Sequence, residues 1–208
     1  MAGLRIEDFT SDMVGAAAAM LARAFVTNPL HVATFGPDQL RTNESFFRIG
    51  VPLMTGRKLV AVENADVLGF IHWIESPGCQ PSESDKRTLA PMMLRAFGVR
   101  TAWRLRSWLT AWSKRDPAAP HVHLGPIGVS PAAQGRGIGR RLMERYCEAL
   151  DLAGRIGYLE TDRPETVRFY ERFGFGVTAE VQVLQVPNFL MMRHASSVAP
   201  GCAHSATD

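Results

Sequence analysis

His121-Val-His-Leu-Gly-Pro-Ile-Gly-Val129, followed by Ser-Pro-Ala-Ala and then Gln134-Gly-Arg-Gly-Ile-Gly139, is the stretch whose reading decides the fold. Its first part carries the β-branched residues Val122, Ile127 and Val129 and stops at the turn pair Ser130-Pro131, as a strand does. Three glycines, Gly135, Gly137 and Gly139, then fall within five positions. Directly after them Ile138, Leu142, Tyr146, Leu150 and Ala153 recur every three or four residues, the period of a helix face. The order predicted is strand, glycine-rich turn, helix.

Such a junction suits an anion. The first turn of a helix leaves backbone N–H groups without partners, and the helix dipole adds partial positive charge there. Glycines remove the Cβ atoms that would hold a phosphate away. Arg136, Arg140 and Arg141 add full charges, so the stretch is built to hold a pyrophosphate. No Lys-Ser or Lys-Thr follows the last glycine, which excludes the nucleoside triphosphate loop. The third glycine comes one position too early for the dinucleotide fingerprint. Alone, a tight turn with no ligand explains this stretch equally well.

The residues downstream favour the ligand. Ile156 to Thr161 reads as a strand, Asp162-Arg-Pro164 as a turn, and Glu165 to Phe173 as a short helix ending at Gly174. With these in place, the chain resembles the GNAT superfamily of acetyl-CoA-dependent N-acyltransferases. Gln134-Gly-Arg-Gly-Ile-Gly139 matches the family's Q/R-x-x-G-x-G/A signature, and Phe169-Tyr-Glu-Arg-Phe-Gly-Phe175 its F-Y-x-x-x-G-F signature, in the same order and at the same separation. Leu-Glu-Thr-Asp-x-Pro at 159–164 is similar to the puromycin acetyltransferase-like subgroup.

The resemblance implies an α/β (α+β) fold: a central mixed, mostly antiparallel sheet of about six or seven strands, splayed between the fourth and fifth and flanked by helices. It implies acetyl-CoA as cosubstrate, with pantetheine entering the splay against backbone groups of Ile127, Gly128 and Val129. Gln134 and the N–H groups of Gly135, Arg136, Gly137, Ile138, Gly139 and Arg140 would take the pyrophosphate. Ile138 is expected to pack beneath the turn with its side chain. Thr166 stands where relatives often carry a cofactor-contacting Asn; it keeps a hydroxyl but has shorter reach. Tyr170 is the expected general acid for the departing thiolate, set against a ring that only packs the short helix. Glu160 is the first choice of base, acting through water, with His72, His121 and His123 as alternatives. The implied reaction is acetyl transfer to a primary amine of a small molecule. A non-catalytic acetyl-CoA sensor or scaffold and a peptide or protein acetyltransferase are the other readings.

Composition agrees with this and narrows the partners. A chain of 208 residues suits one domain, buries roughly 70% of its unfolded surface and needs no staples. A single domain over 1–194 is expected, with 195–208, small and polar, as a disordered tail. The net charge of +3, with no basic run, does not argue for nucleic acid. No apolar run is long enough to span a bilayer, so a cytoplasmic monomer or homodimer with reduced thiols is expected. The three cysteines, Cys79, Cys147 and Cys202, lie far apart, and no Cys/His metal spacing occurs, so no metal is expected. Cys147 is read as a small core hydrophobe.

The remaining elements follow from pattern. Met13 to Phe25 carries a helical apolar face ended by Asn28-Pro29, and His31 to Gly36 shows no period. A helix is predicted from about 38 to 54, and a hairpin from 59–62 and 67–74 around Asn64-Ala65-Asp66. Phe25, His31, Phe35, Phe46 and His72 are possible acceptor contacts, though core roles suit each. Residues 77–85 read as a loop, and 86–115 as a helix in two pieces around Gly98. Its Trp103, Leu105, Trp108, Leu109 and Trp112 form an aromatic patch for the core, an aromatic acceptor or a dimer contact. Last come strands at 176–186 and 188–193, with Pro187 expected in the turn between them.

Overall fold

The computed structural model describes residues 3–80 and 82–195. The disordered tail expected over 195–208 lies, from 196 on, outside the described residues. Seven strands form one sheet in the order β1-β2-β3-β4-β5-β7-β6. They are β1 (Arg5–Asp8), β2 (Arg57–Glu63), β3 (Asp66–Glu75), β4 (His121–Val129), β5 (Ile156–Thr161), β6 (Gly176–Val183) and β7 (Val186–Arg193). All neighbours are antiparallel except β4 and β5. The helices are α1 (Val14–Ala24), α2 (Pro29–Phe35), α3 (Leu40–Leu53), α4 (Glu83–Ser113), α5 (Ile138–Ala153) and α6 (Pro164–Glu171).

The parallel pair is the seam of the sheet. β4 and β5 are in register only at His121–Ile156, Val122–Gly157 and His123–Tyr158. Beyond His123 the two strands part, as expected of the fourth and fifth strands. Gly125-Pro126 explains part of the divergence. Between the pairs Ile71–Ile127 and Trp73–Leu124, β4 spends one residue more than β3, which is a bulge and re-aims the strand. Gly125 has no alternative there, because a Cβ would lie 2.3 Å from His72 Nδ1.

Each face of the sheet has its own core. On one, α5 lays Ile138, Leu142, Met143, Tyr146 and Leu150 over Ala61, Ile71, Val122 and Leu124. On the other, Ala17, Ala18, Met20 and Leu21 of α1 and Phe47 and Val51 of α3 cover Val60, Val62 and Phe70. The alternation of β3 thus sends Gly69 and Ile71 to α5 and Phe70 to α1, the split its period-2 pattern predicts. Cys147 packs beside the α5 core as read from sequence, and burial raises its thiol to about 11.

Two expectations are corrected. The segment from His31 to Gly36 belongs to a helix, α2. Asn28, which ends α1's run, also caps α2 by accepting from the His31 N–H, and Pro29 occupies its first turn. Seven residues are too few to display a period. The second correction is the β6–β7 hairpin, whose turn is Leu184-Gln185, both with left-handed φ (51° and 65°). Pro187 lies inside β7, opposite Gln182. A smaller shift is at α4, which starts three residues early because Ser82 and Asp85 form a capping box. Gly98 does break α4 (φ 74°, ψ 169°).

Among the described residues no single helix is long and apolar enough to cross a membrane.

Candidate active site

The splay opens into a cleft of about 670 Å³ that runs from the start of α5, along β4, to Phe25 just past α1 and the aromatic rings of α2, α3 and α4. Its first section is the glycine turn. Gly135 (φ 78°) and Gly137 (φ 76°) are left-handed, a conformation that costs other residues about 1–2 kcal/mol. Gly137 is the N-cap of α5, and no side chain caps that helix. The N–H groups of its first turn therefore remain for a ligand. An added Cβ on Gly139 would meet Val129 and Phe169 only at ordinary contact distance, 3.5 and 3.7 Å. Gln134, Gly135, Gly137, Ile138, Gly139 and Arg140 all line the cleft, and Ile138 is itself 1% exposed beneath the turn.

Arg136 departs from its expected place. Its guanidinium bonds both carboxylate oxygens of Glu63 on β2, at 2.7 and 2.9 Å, and does not line the cleft. Arg140 and Arg141 also have protein partners, Glu144 and the Leu4 carbonyl. The field at this corner comes first from backbone N–H groups.

The second section is the free edge of β4. The Ser130 N–H donates to the Leu68 carbonyl on β3. Backbone groups alternate sides along a strand, so those of Gly128 face β3 and those of Ile127 and Val129 face the splay. Gly128 is needed for a different reason: a Cβ would approach Leu21 of α1 to 2.9 Å and Phe25 to 3.2 Å.

The third section holds the titratable groups. Tyr170 on α6 lines the cleft and is 8% exposed. Burial, and the nearby Asp162 carboxylate, push its phenol above the ordinary value. Thr166, one turn earlier, donates to the Arg163 carbonyl (2.8 Å) and meets the Thr161 hydroxyl at 2.5 Å. Glu160 also lines the cleft, with its side chain 1% exposed. One of its oxygens meets His123 Nε2 at 2.8 Å, while Oε1 has no hydrogen-bond partner. Burial opposes charge on His123, but the Glu160 carboxylate and the facing Asp116 outweigh it and hold the imidazole well above its usual value.

The structure sorts the histidine alternatives. His123 lines the cleft, whereas His72 and His121 do not. His72 is buried against the Thr55 carbonyl. His121 Nδ1 bonds the Ala119 carbonyl, and its Nε2 faces Cys79 Sγ at 3.7 Å.

The far end is aromatic. Phe25, Phe46, Phe47 and Trp108 surround His31, which is 3% exposed, Trp112 meets Trp108 edge-on, and all of them line the cleft. Phe35 touches the His31 ring from outside the cleft, and Trp103 is 64% exposed. Burial lowers His31 to about 4, against a bond to Asn43, so the ring is neutral at pH 7. Asp162 was legible only as a turn residue. Folded, it is 5% exposed and accepts from Asn28 Nδ2 (2.7 Å) and the Leu30 N–H (2.6 Å), locking the start of α2 to the end of β5. Asp116, which reads from sequence as part of a connector, faces His123 Nδ1 at 3.4 Å.

Comparison with known proteins agrees with this geometry. Residues 52–175, more than half of the chain, match the model of the acetyltransferase (GNAT) family. The chain is 39% identical over 72 residues to a mycothiol acetyltransferase of Mycobacteroides abscessus, covering 32% of this chain and 24% of that protein. It is 37% identical over 100 residues to the N-alpha-acetyltransferase RimI of Mycobacterium tuberculosis, covering 46% and 60%. It thus spans less than two thirds of the length of these curated relatives. Among solved structures, an acetyltransferase of Corynebacterium glutamicum superposes with a TM-score of 0.70 at 18% identity, covering 95% of this chain and 100% of that one. A Brucella melitensis GNAT family acetyltransferase, solved in complex with acetyl-CoA, superposes with a TM-score of 0.52 at 19% identity, covering 95% and 92%. A splayed sheet, an uncapped glycine turn at the head of α5 and a family match spanning both are one finding seen three ways: the chain belongs to the acetyltransferase (GNAT) family.

Proposed function

We propose that this chain is an N-acetyltransferase that moves an acetyl group from acetyl-CoA to a primary amine of a small molecule. One observation carries the reading: a single cleft connects the uncapped start of α5, the free edge of β4, Tyr170 and an aromatic end. The diphosphate sits on the N–H groups of residues 135–140, and pantetheine pairs with Ile127 and Val129 as a missing strand would. The thioester then lies where β4 and β5 part.

Transfer requires a neutral amine, a donor for the oxyanion and a proton for the thiolate. Glu160 Oε1 is the group suited to take the amine's proton, directly or through water. Tyr170 donates to the departing sulfur. An ordinary thiol lies near 8.5 and a phenol near 10, so this proton moves uphill in water. Burial keeps the phenol protonated until the sulfur departs, and raises the proton affinity of a thiolate formed in the same buried place. The aromatic end, with His31 neutral, suits an amine on an apolar or aromatic body.

The similarity to RimI over 100 residues supports a second reading, the N-terminal amine of a peptide. A panel of arylalkylamines, polyamines and peptides with acetyl-CoA, read by free-thiol release, separates the two. Release with small amines supports the first, and release with peptides alone replaces it. CoA binding with no release from any acceptor would leave a non-catalytic sensor.

A further inference from the structure

At the edge of the cleft, which His123 alone of them lines, the fold collects four donors that the sequence scatters over 45 positions. Cys79 comes from the β3–α4 connection, Asp116 from the end of the α4 connection, and His121 and His123 from alternate positions of β4. One ligand atom from each lies within 4.8 Å of all the others. We propose that these four residues form a tetrahedral Zn²⁺ site that fastens the end of α4 to β4.

Distances, ring orientations and charge support it independently. Tetrahedral zinc, with bonds of about 2.3 Å to sulfur and about 2.0 Å to nitrogen or oxygen, sets sulfur about 3.5 Å from its neighbours and N/O pairs about 3.3 Å apart. Cys79 Sγ is 3.7 Å from His121 Nε2, and His123 Nδ1 is 3.4 Å from Asp116 Oδ1, with one ligand atom from each residue inside the 4.8 Å cluster. In each imidazole the outer nitrogen has a protein partner, which aims the other nitrogen at the gap, where a metal would displace any proton. His121 Nδ1 is bonded to the Ala119 carbonyl, which leaves Nε2 toward Cys79. His123 Nε2 is bonded to Glu160, which leaves Nδ1 toward Asp116. A histidine whose outer nitrogen donates to a carbonyl or carboxylate is the arrangement that orients zinc ligands.

His123 Nδ1 and Asp116 Oδ1 are buried and meet only one another, as an ion pair at 3.4 Å rather than a hydrogen bond, and the Asp116 side chain is 8% exposed. Gln80 Nε2 donates to Asp116 Oδ2, turning the other oxygen toward the gap. A thiolate and a carboxylate together match the ion's charge. One sulfur, two imidazoles and one carboxylate suit zinc rather than magnesium or calcium, which prefer oxygen. Sequence spacing hides the site because three separate segments supply it.

The test uses the full chain in a Cys147→Ser, Cys202→Ser background, where Cys79 is the only thiol. The protein is stripped of metal and titrated with Co²⁺ and then with Zn²⁺. Expected are one equivalent bound, the visible bands of tetrahedral Co²⁺ and a thiolate charge-transfer band in the near ultraviolet, all displaced by Zn²⁺. Cys79→Ala and His121→Ala, each checked for an intact fold by far-ultraviolet circular dichroism, should lose the bands. They should also weaken Zn²⁺ binding at least tenfold, the lower end of what losing even an outer partner costs. Binding of Zn²⁺ by both variants as tight as in the parent would overturn the proposal. So would a parent showing no charge-transfer band, the gap then holding only a proton shared by His123 and Asp116. Because the readout is metal binding, the outcome is independent of whether any amine is acetylated.

Discussion

Single side chains in the cleft act through what surrounds them. Tyr170 is the clearest case, since it belongs to the core and also lines the cleft. Tyr170→Phe should lower kcat on the order of a hundredfold, within the range for removing a general acid. KM for acetyl-CoA and thermal stability should stay close to wild type, and unchanged turnover across the acceptor panel would remove the acid role. The glycines of the turn allow a sharper contrast. Gly137→Ala forces a left-handed Cβ onto the N-cap of α5 and should weaken CoA binding on the order of tenfold, as calorimetry would show. Gly139→Ala meets only ordinary contacts and should leave affinity near the parent value.

His31 predicts a pH dependence. Its folded value is lowered to about 4, whereas the unfolded chain takes the proton near 6.5. Between those values the unfolded state binds more protons, so stability is full above about pH 6.5 and lost as pH falls. From pH 7 to pH 5 this one group removes about 2 kcal/mol. Urea unfolding at the two pH values measures the loss, and His31→Phe should abolish most of it.

At the scale of elements, α2 depends on a contact made 132 residues away. Asp162→Ala would strand the Leu30 N–H and the Asn28 amide, both buried, at about 1–3 kcal/mol. Hydrogen exchange should localise the loss to residues 28–36. This element also shows where sequence reading stops. The glycine turn, α5 and the parting of β4 from β5 are legible because each has a local cause: special φ, a helical period, a Gly-Pro bulge. α2 is not legible, because one Asn serves as both terminator and cap and seven residues carry no period. Leu184-Gln185 hides as a turn, since nothing in Leu or Gln advertises a left-handed φ, whereas Pro187 advertises a break it does not make. Arg136 reads as a phosphate ligand because its partner, Glu63, is supplied by a distant strand. The grouping of Cys79, Asp116, His121 and His123 is likewise a product of tertiary structure alone.

For the whole molecule, the ligand is expected to act as a missing rung. A CoA thioester lying along Ile127 and Val129 would fill the gap between two parts of one sheet. At a hundred times its Kd it should stabilise the fold by about 2.7 kcal/mol, read as a rise in Tm, with slower amide exchange at 127–129 and 135–140.

The three residue pairs that join β4 to β5 have one more consequence. β1 to β4 lie on one side of that junction and β5 to β7 on the other, and the polypeptide passes between the two wings once, through α5 and the bend at Gly154. Severing the backbone at that bend would interrupt no ladder within either wing. The sheet is thus naturally bipartite, and two separately made pieces have every strand partner they need except the three at the junction, which makes their reassembly a sensor for whatever occupies the space between them.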